Sequence, residues 1–582
     1  MSILRKVQSP LSPITAEEFS SASIRAWAHG GRVGSTRIGI AVSGGVDSMA
    51  LAKLCVDLPP LHDSSSKFDF HAFIVDHKAR VESSIEARTV ASRLEELGLQ
   101  STILTLKWPK GVIPADLHNF ETQARKLRYR ALGAACRNLK IQSLLLAHHE
   151  DDLAESMLGN LLRVGNSPVS WRLQAMKATG TNIPECWGMY GVHQSGGIVD
   201  IPDSRDGAYR GDHVSITKNG TSARRSRSLG CEQGGVRIYR PLLSFSKARI
   251  RLTCQVYGIE WAEDATNHDV TRTMRNAIRP LLATQRLPRA LSKDRLLALH
   301  LHADRRTKDI HHRGYELFKR TDLLMFDIRS GCLAVRLPRP LDDSLGLMDL
   351  LRRIFQIVSP EERISLSDMD TALDYMFRGA SGTRGKSKDQ KNVRWKFSSS
   401  GVVAACREMP LETTSNEVVP RRLDPNFIWV LSREPIRRFE EAESIPIVAM
   451  SDEIPPKPQS GIEHSYLTAQ RENDSSWSAW ELWDGRFWIR VSNRTGQTLK
   501  IRVFSKCDWL PLKRKLPGEV LKSLRLVMAA AAPGAVRYTL PVIATASQPG
   551  EVLAFPTLAH KLSSLSDSLD WEVRYKAVDF GP

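Results

Sequence analysis

The sequence predicts an α/β protein: a parallel sheet covered by helices, then a helical region and a smaller mixed or β-rich C-terminal domain. Three observations point there. Apolar strand-like runs alternate with amphipathic helical stretches from residue 38 to about residue 160. A glycine turn, Ser43-Gly-Gly-Val-Asp-Ser48, joins the first run to the first helix. Near the C-terminus, WSAWELWDGRFWIRV alternates about Asp484-Gly485, a hairpin signature.

Ile38–Val42 is a short buried strand. Leu51, Leu54, Cys55 and Leu58 then recur at helical spacing, and Pro59-Pro60 stop that helix. Phe70–Val75 is the second strand. Ser83-Ser-Ile-Glu86 has the form of a capping box, and the helix it opens presents Ala87, Val90, Ala91 and Leu94 on one face. Ser101–Leu106 is the third strand. Phe120, Ala124, Leu127, Ala131 and Ala135 mark a long helix, and Leu144–Ala147 is a fourth strand followed by a helix. Such alternation implies parallel βαβ units covered on both faces, with ligands beyond the carboxyl ends of the strands. Residues 177–235 are rich in Gly, Ser and charge, lack a sustained period and read as a partly disordered insertion. Order resumes at Ile238–Leu243, helical patterns run to about residue 380, and residues 378–392 form a basic loop. The expected division is an N-terminal segment at 1–35, an α/β domain at 36–285 with its insertion at 177–235, a helical region at 286–425 and a mixed α/β domain at 426–582.

The length of 582 residues suits roughly two to four domains. Net charge is +18, from 82 basic and 64 acidic residues. That excess favours polyanionic partners, nucleic acid first, although a basic flexible loop produces the same imbalance. No uninterrupted apolar run reaches the roughly 18 residues of a membrane span, so no membrane partner is expected. The eight cysteines are scattered and form no C-x-x-C pair. This argues against a zinc ribbon, a thioredoxin-type site and a disulfide scaffold. The first 16 residues hold Arg5, Lys6, three serines and no acid, a composition that fits an import signal. Pro10 and Pro13 interrupt an amphipathic helix there.

The Ser43–Ser48 turn can aim successive backbone N–H groups at an anion, with the helix N-terminus adding partial positive charge. Its hydroxyls can donate to phosphate oxygens, and Asp47 can hold Mg²⁺. It is no Walker A loop, because Gly-Lys-Ser/Thr does not follow. A tight βα turn needing glycine is the plainer reading. Asp152 and Glu155, three apart on a helix beyond a strand end, share a face and can bind an ammonium group and accept its proton. Acids in a first helical turn are also favourable in themselves. Arg125 and Arg128, likewise three apart, offer permanent charge, or form a solvated face. His148 and His149 leave a strand end pointing apart, which favours hydrogen bonding over a zinc site. Arg275 and Arg279 sit four apart on a helix. Arg486, Arg490, Lys500 and Arg502 alternate along strands, either gripping RNA or lining an exposed sheet face.

SGGVDS resembles the pyrophosphatase loop of the N-type ATP pyrophosphatases. FIVDHKAR (73–80), NFETQARKLRYRAL (119–132), LLLAHHEDDLAES (144–156) and WAEDATNHDVTRTMRNAIRP (261–280) are similar to segments of the tRNA(Ile)-lysidine synthase family. Order and approximate spacing agree over residues 36–285, and LWDGRF is the chief likeness beyond. The resemblance implies a Rossmann-like PP-loop ATPase domain. It implies ATP with Mg²⁺, a tRNA(Ile) bearing a CAU anticodon, and free L-lysine. ATP adenylates the C2 carbonyl oxygen of the wobble cytidine, and the lysine ε-amine displaces AMP. By this resemblance Ser43, Gly44, Gly45, Val46, Asp47, Ser48, Asp76, His77 and His148 bind ATP, with Asp47 on the metal. Asp47, Arg125, Asp152 and Glu155 serve catalysis. Arg128, His149, Arg163, Arg275 and Arg279 face RNA or the adenylate.

The chain departs from the family at LLRVGNSPVSWRLQAMK, where Arg163, Gly165 and Met176 stand in a broken glycine pattern, and at Ser156, where a threonine is usual. Two other functions stay open: cytidine 2-thiolation, which needs clustered cysteines, and a catalytically degenerate tRNA-binding protein. A glutamine-dependent amide synthetase lacks room for its glutaminase domain. Because the implied tRNA is of bacterial type, a mitochondrial location is expected in a eukaryotic host and a cytoplasmic one in a bacterium.

Overall fold

The structure, a computed structural model, describes residues 11–28, 37–59, 68–78, 82–106, 108, 120–163, 229–231, 236–263, 274–284, 287–338, 342–361, 364–378, 393–408, 427–436, 445–447, 477–478, 480–546, 550–562, 568–576 and 578. The rest of the 177–235 insertion, residues 379–392 of the basic loop and residues 264–273 lie outside the described residues. Two compact units divide the chain: residues 1–195, 234–307 and 458–472, and residues 196–233, 308–457 and 473–582.

In the first unit β1 (Arg37–Val42), β2 (Asp69–Asp76), β3 (Gln100–Thr105), β4 (Ser143–Leu145) and β5 (Arg237–Tyr239) form one sheet in the order β3-β2-β1-β4-β5. Every pairing is parallel. Successive residues of a strand serve opposite faces. Ile38, Ile40, Ala72 and Ile74 pack with α1 (Ala16–Ala28), α2 (Val46–Val56), α3 (Ser83–Glu96) and α6 (Lys247–Val256). Phe73, Leu144 and Ile238 pack with α4 (Phe120–Asn138) on the other face. The chain runs from β1 outward to β3, then returns to place β4 on the far side of β1. This reversal opens a crevice between the ends of β1 and β4, where such sheets bind ligands.

Two expectations are corrected here. Residues 11–28 of the 1–35 segment do not stand apart: Ile14 and Phe19 are fully buried in the core of this unit. Arg249 of α6 fixes the same stretch through Ser12 O, Pro13 O and Glu18. The capping box at Ser83 does not form. Glu82 precedes α3 without a side-chain cap, and the Ser83 and Ser84 hydroxyls donate instead to Asp76, at 2.9 and 2.8 Å. A buried carboxylate is the stronger acceptor and wins both.

The remaining helices of this region are α5 (Glu150–Arg163), α7 (Met274–Ala283) and α8 (Lys293–Lys319). The stretch 286–425, expected to be helical, contributes four strands of an antiparallel sheet. They are Asp322–Asp327, Cys332–Arg336, Val393–Ser399 and Val402–Glu408, joined by Phe427–Arg433. Its helix Ser344–Val358 buries Leu347, Leu350, Leu351, Ile354 and Phe355, which had obscured the short strands around it. The second unit has two further sheets. One carries the Asp484-Gly485 hairpin, with both residues at positive φ (47° and 58°) as the turn requires. Gly230–Cys231, at the end of the insertion, pairs in parallel with the strand Leu569–Tyr575 of that sheet.

Candidate active site

The loop after β1 is built for close approach. Gly44 has φ +83°, and a Cβ there would lie 2.4 Å from Val90 Cγ2. The Ser48 hydroxyl donates to Gly45 O (2.9 Å) and accepts from Ser43 N (3.2 Å), cross-bracing the turn. Gly45 precedes α2 in extended conformation with no side-chain cap. The first N–H groups of α2 therefore face outward for an anion. The Cys254 thiol donates to Val46 O from behind (3.5 Å).

Across the crevice, β4 delivers His148 and His149. The two imidazoles diverge as expected. His148 Nδ1 accepts from Arg240 Nε (3.2 Å). His149 is 2 % exposed and braces the site from within. Its Nε2 lies 3.6 Å from both Asp47 Oδ1 and Asp152 Oδ2, while its N–H donates to Asp152 Oδ2 (3.0 Å). Asp47, the loop acid, and Asp152, the acid opening α5, are thus held around one ring.

Lys247 and Lys293 were not singled out from the sequence, since isolated lysines in helical stretches carry no local signal. Lys247 Nζ donates to Asp47 Oδ2 (3.0 Å), and its backbone N–H donates to Asp151 Oδ2 (2.8 Å). Lys293 Nζ reaches Asp151 Oδ1 at 2.7 Å. Burial alone would raise the Asp47 carboxyl, but His149 and the Lys247 ammonium outweigh it and hold it below its ordinary value. Asp151 is lowered in the same way, with burial opposed by Lys293 and the Lys247 N–H. Asp47 Oδ1 is buried with no hydrogen-bond partner among the described residues. An orphaned carboxylate oxygen beside a phosphate-type loop suits Mg²⁺, which binds through one or two carboxylates and substrate phosphates.

Glu155, 6 % exposed, accepts from Arg279 Nε at 2.9 Å, joining α5 to α7. Two residues expected to act separately, one on lysine and one on RNA, are therefore an ion pair. Asp76 is committed to the protein: besides Ser83 and Ser84, Lys78 N donates to it (3.0 Å), and Lys78 Nζ is 3.3 Å away. These contacts overcome burial and keep its carboxyl low. In this arrangement Asp76 anchors the start of α3. His77 is different. Burial, reinforced by the Arg128 guanidinium, pulls its imidazole down to about 4 against Asp76. Its buried Nδ1 has no partner among the described residues, and Trp108 Nε1 donates to its carbonyl (2.8 Å). Arg125 and Arg128 both stack on the buried Tyr129 ring, at 4.7 and 5.4 Å, which sets them on one face of α4. The side chains of Arg163 and Arg275 lie outside the described residues.

The C-terminal basic residues are also corrected. Arg486 is fully buried, Arg490 pairs with Glu572 at 2.8 Å, and Arg502 pairs with Asp508 at 2.7 Å. Period-two spacing could not separate a solvated strand face from an internal one.

Residues 17–194 and 218–286 match the PP-loop domain family. The probable tRNA(Ile)-lysidine synthase of Schizosaccharomyces pombe is 26% identical over 92% of this chain and 93% of its own length. In sequence the chain is similar to tRNA(Ile)-lysidine synthases. The tRNA(Ile)-lysidine synthases of Wolbachia pipientis wMel (29% identical) and Zymomonas mobilis (37%) match over 48% and 40% of this chain. The chain spans 50% and 52% of their lengths. Among solved structures, the U34-tRNA thiolase NcsA of Methanococcus maripaludis aligns over 52% of this chain and 87% of its own, at 12% identity and a TM-score of 0.33.

Proposed function

We propose that the protein is a tRNA(Ile)-lysidine synthase, an ATP-dependent C–N ligase acting on the wobble cytidine of a tRNA(Ile) with a CAU anticodon. The observation that carries this reading is the convergence of the Gly44–Asp47 loop with Asp152, through His149, at one sheet reversal, in a chain similar to tRNA(Ile)-lysidine synthases. The loop N–H groups and Ser43 bind the polyphosphate. Asp47 would hold Mg²⁺, which when bound supplies charge neutralisation at the phosphates. The cytidine C2 oxygen forms a bond to the α-phosphorus, and the bond to the β-phosphate breaks with its electron pair leaving on pyrophosphate. The lysine ε-ammonium, bound by Asp152 and Glu155, gives up a proton, attacks C2 and displaces AMP.

The thiolation alternative loses ground. Of the described cysteines only Cys507 is exposed, and burial raises the Cys254 thiol beside the loop to about 12. For the RNA grip, Lys513, Arg514, Lys522 and Arg525 take the place of Arg486, Arg490 and Arg502. All are exposed on the helices Trp509–Lys515 and Gly518–Ala531, and none has an acidic partner among the described residues. For location we propose a mitochondrion, on the composition of residues 1–16. Because Ile14 and Phe19 are core residues, a cleavable signal would end before them.

The test is to incubate the protein with an unmodified tRNA(Ile) transcript, ATP, Mg²⁺ and lysine, and to digest the RNA for mass spectrometry. The expected product is cytidine 34 converted to lysidine, dependent on both ATP and lysine. Unmodified cytidine 34 at saturating substrates would overturn the reading.

A further inference from the structure

The loop that receives the phosphates contains no lysine, yet an ammonium group stands beside it. Lys247 opens α6, 200 positions further along the chain, with Nζ 3.0 Å from Asp47 Oδ2. Its main chain is anchored. Its N–H is held by Asp151, the Ser246 hydroxyl caps α6, and Phe245 O accepts from Glu150 N at the start of α5 (3.1 Å). α6 packs along α2, the helix that the loop opens, through the buried Cys254 and Ile250. Only the side chain is free to move, and it is 45% exposed.

We propose that Lys247 is the phosphate-neutralising residue of this site. It leaves Asp47 Oδ2 for the β- and γ-phosphates when ATP enters, and it accompanies the pyrophosphate as it forms. This deepens the ATP-dependent reading above and rests on it. A polyphosphate carries several negative charges where Asp47 carries one, so an ammonium within reach of both moves to the phosphates. A lysine suits such a role as a compact point charge on a flexible stem. The exchange would also leave Asp47 Oδ2 available to a divalent cation bound with the nucleotide, which would neutralise phosphate charge there. No proton moves. As the α-phosphorus bonds to the cytidine oxygen and its bond to the β-phosphate breaks, the electron pair accumulates on pyrophosphate. Lys247 offsets that charge in place. The lysine that a Walker A loop carries within its own sequence is here supplied by a distant helix whose N-terminus Asp151 fixes.

The test is calorimetric titration of inorganic pyrophosphate with Mg²⁺ into the full-length protein, wild type against Lys247→Met and Lys247→Arg. The loss of one charge-assisted contact should weaken pyrophosphate binding by about 10- to 100-fold in Lys247→Met. Lys247→Arg should recover most of it, because the charge is kept. In the full reaction Lys247→Met should raise KM for ATP and leave KM for lysine unchanged. Backbone anchoring predicts an unchanged circular dichroism spectrum, and Lys247→Gln provides the same comparison if the methionine variant does not fold. Equal pyrophosphate affinity in wild type and Lys247→Met would overturn this proposal while leaving the ATP site standing. A wild-type protein that binds no pyrophosphate would overturn the ATP reading itself.

Discussion

Replacing Arg486 by methionine separates a structural hub from an RNA contact. Arg486 has no exposed surface. Its guanidinium donates to Asp484 Oδ2 (2.8 Å), Ser330 O (2.9 Å) and Thr539 O (2.7 Å), so it ties together three segments distant in sequence. Methionine fills much of the volume but leaves two buried carbonyls unsatisfied and Asp484 with Arg433 as its cation (3.1 Å). Breaking a buried pair from one side costs about 3–5 kcal/mol. For a unit of this size that corresponds to a fall in melting temperature of roughly 5–8 °C. Differential scanning calorimetry of wild type and Arg486→Met would measure it, alongside tRNA affinity at a temperature where both are folded. The expected result is a lower-melting transition with tRNA affinity within a factor of two or so of wild type, since phosphate contacts set that affinity. An unchanged melting temperature with lost tRNA binding would refute the reasoning and return Arg486 to the RNA surface.

Two further predictions concern the loop and the second unit. Gly44→Ala must place a Cβ at positive φ and against Val90 Cγ2, so it should cost about 1–3 kcal/mol or deform the loop. ATP binding measured by titration should fall sharply, and wild-type affinity would show that the turn does not need glycine. Asp349 is fully buried, and its carboxyl is held far below its ordinary value of 3.8. Burial opposes this, but His311, Arg352 and Arg353 prevail. A depressed folded value means its stabilisation is complete above about pH 4 and is lost as pH falls further. Melting temperature followed from pH 6 to pH 3 should therefore drop in wild type and drop less in Asp349→Asn. Parallel curves would exclude Asp349 as a source of the acid sensitivity.

Local pattern determined the strands β1 to β3 to within a residue, because buried parallel strands are apolar runs bounded by turns. It also located the turn after β1, because Gly44 is dictated by its backbone conformation and Asp47 and Ser48 follow it directly. The hairpin at Asp484-Gly485 was legible for the same local reason. What pattern could not supply was the partner of each charge. Asp152 and Glu155 share a helix face, as their spacing required, but only the fold sets Arg279 on Glu155 and His149 between Asp152 and Asp47. At the end of β2, the folded chain engages Asp76 with two serines, one of which a capping box would have used otherwise. Lys247 was invisible for a stronger reason: its partner lies 200 residues away, and no periodicity records a contact made across the end of a sheet. Backbone conformation and hydrophobic spacing are properties of neighbouring residues and can be read along the chain. Charge pairing in a crevice belongs to the folded arrangement and is decided only when β1 and β4 come side by side.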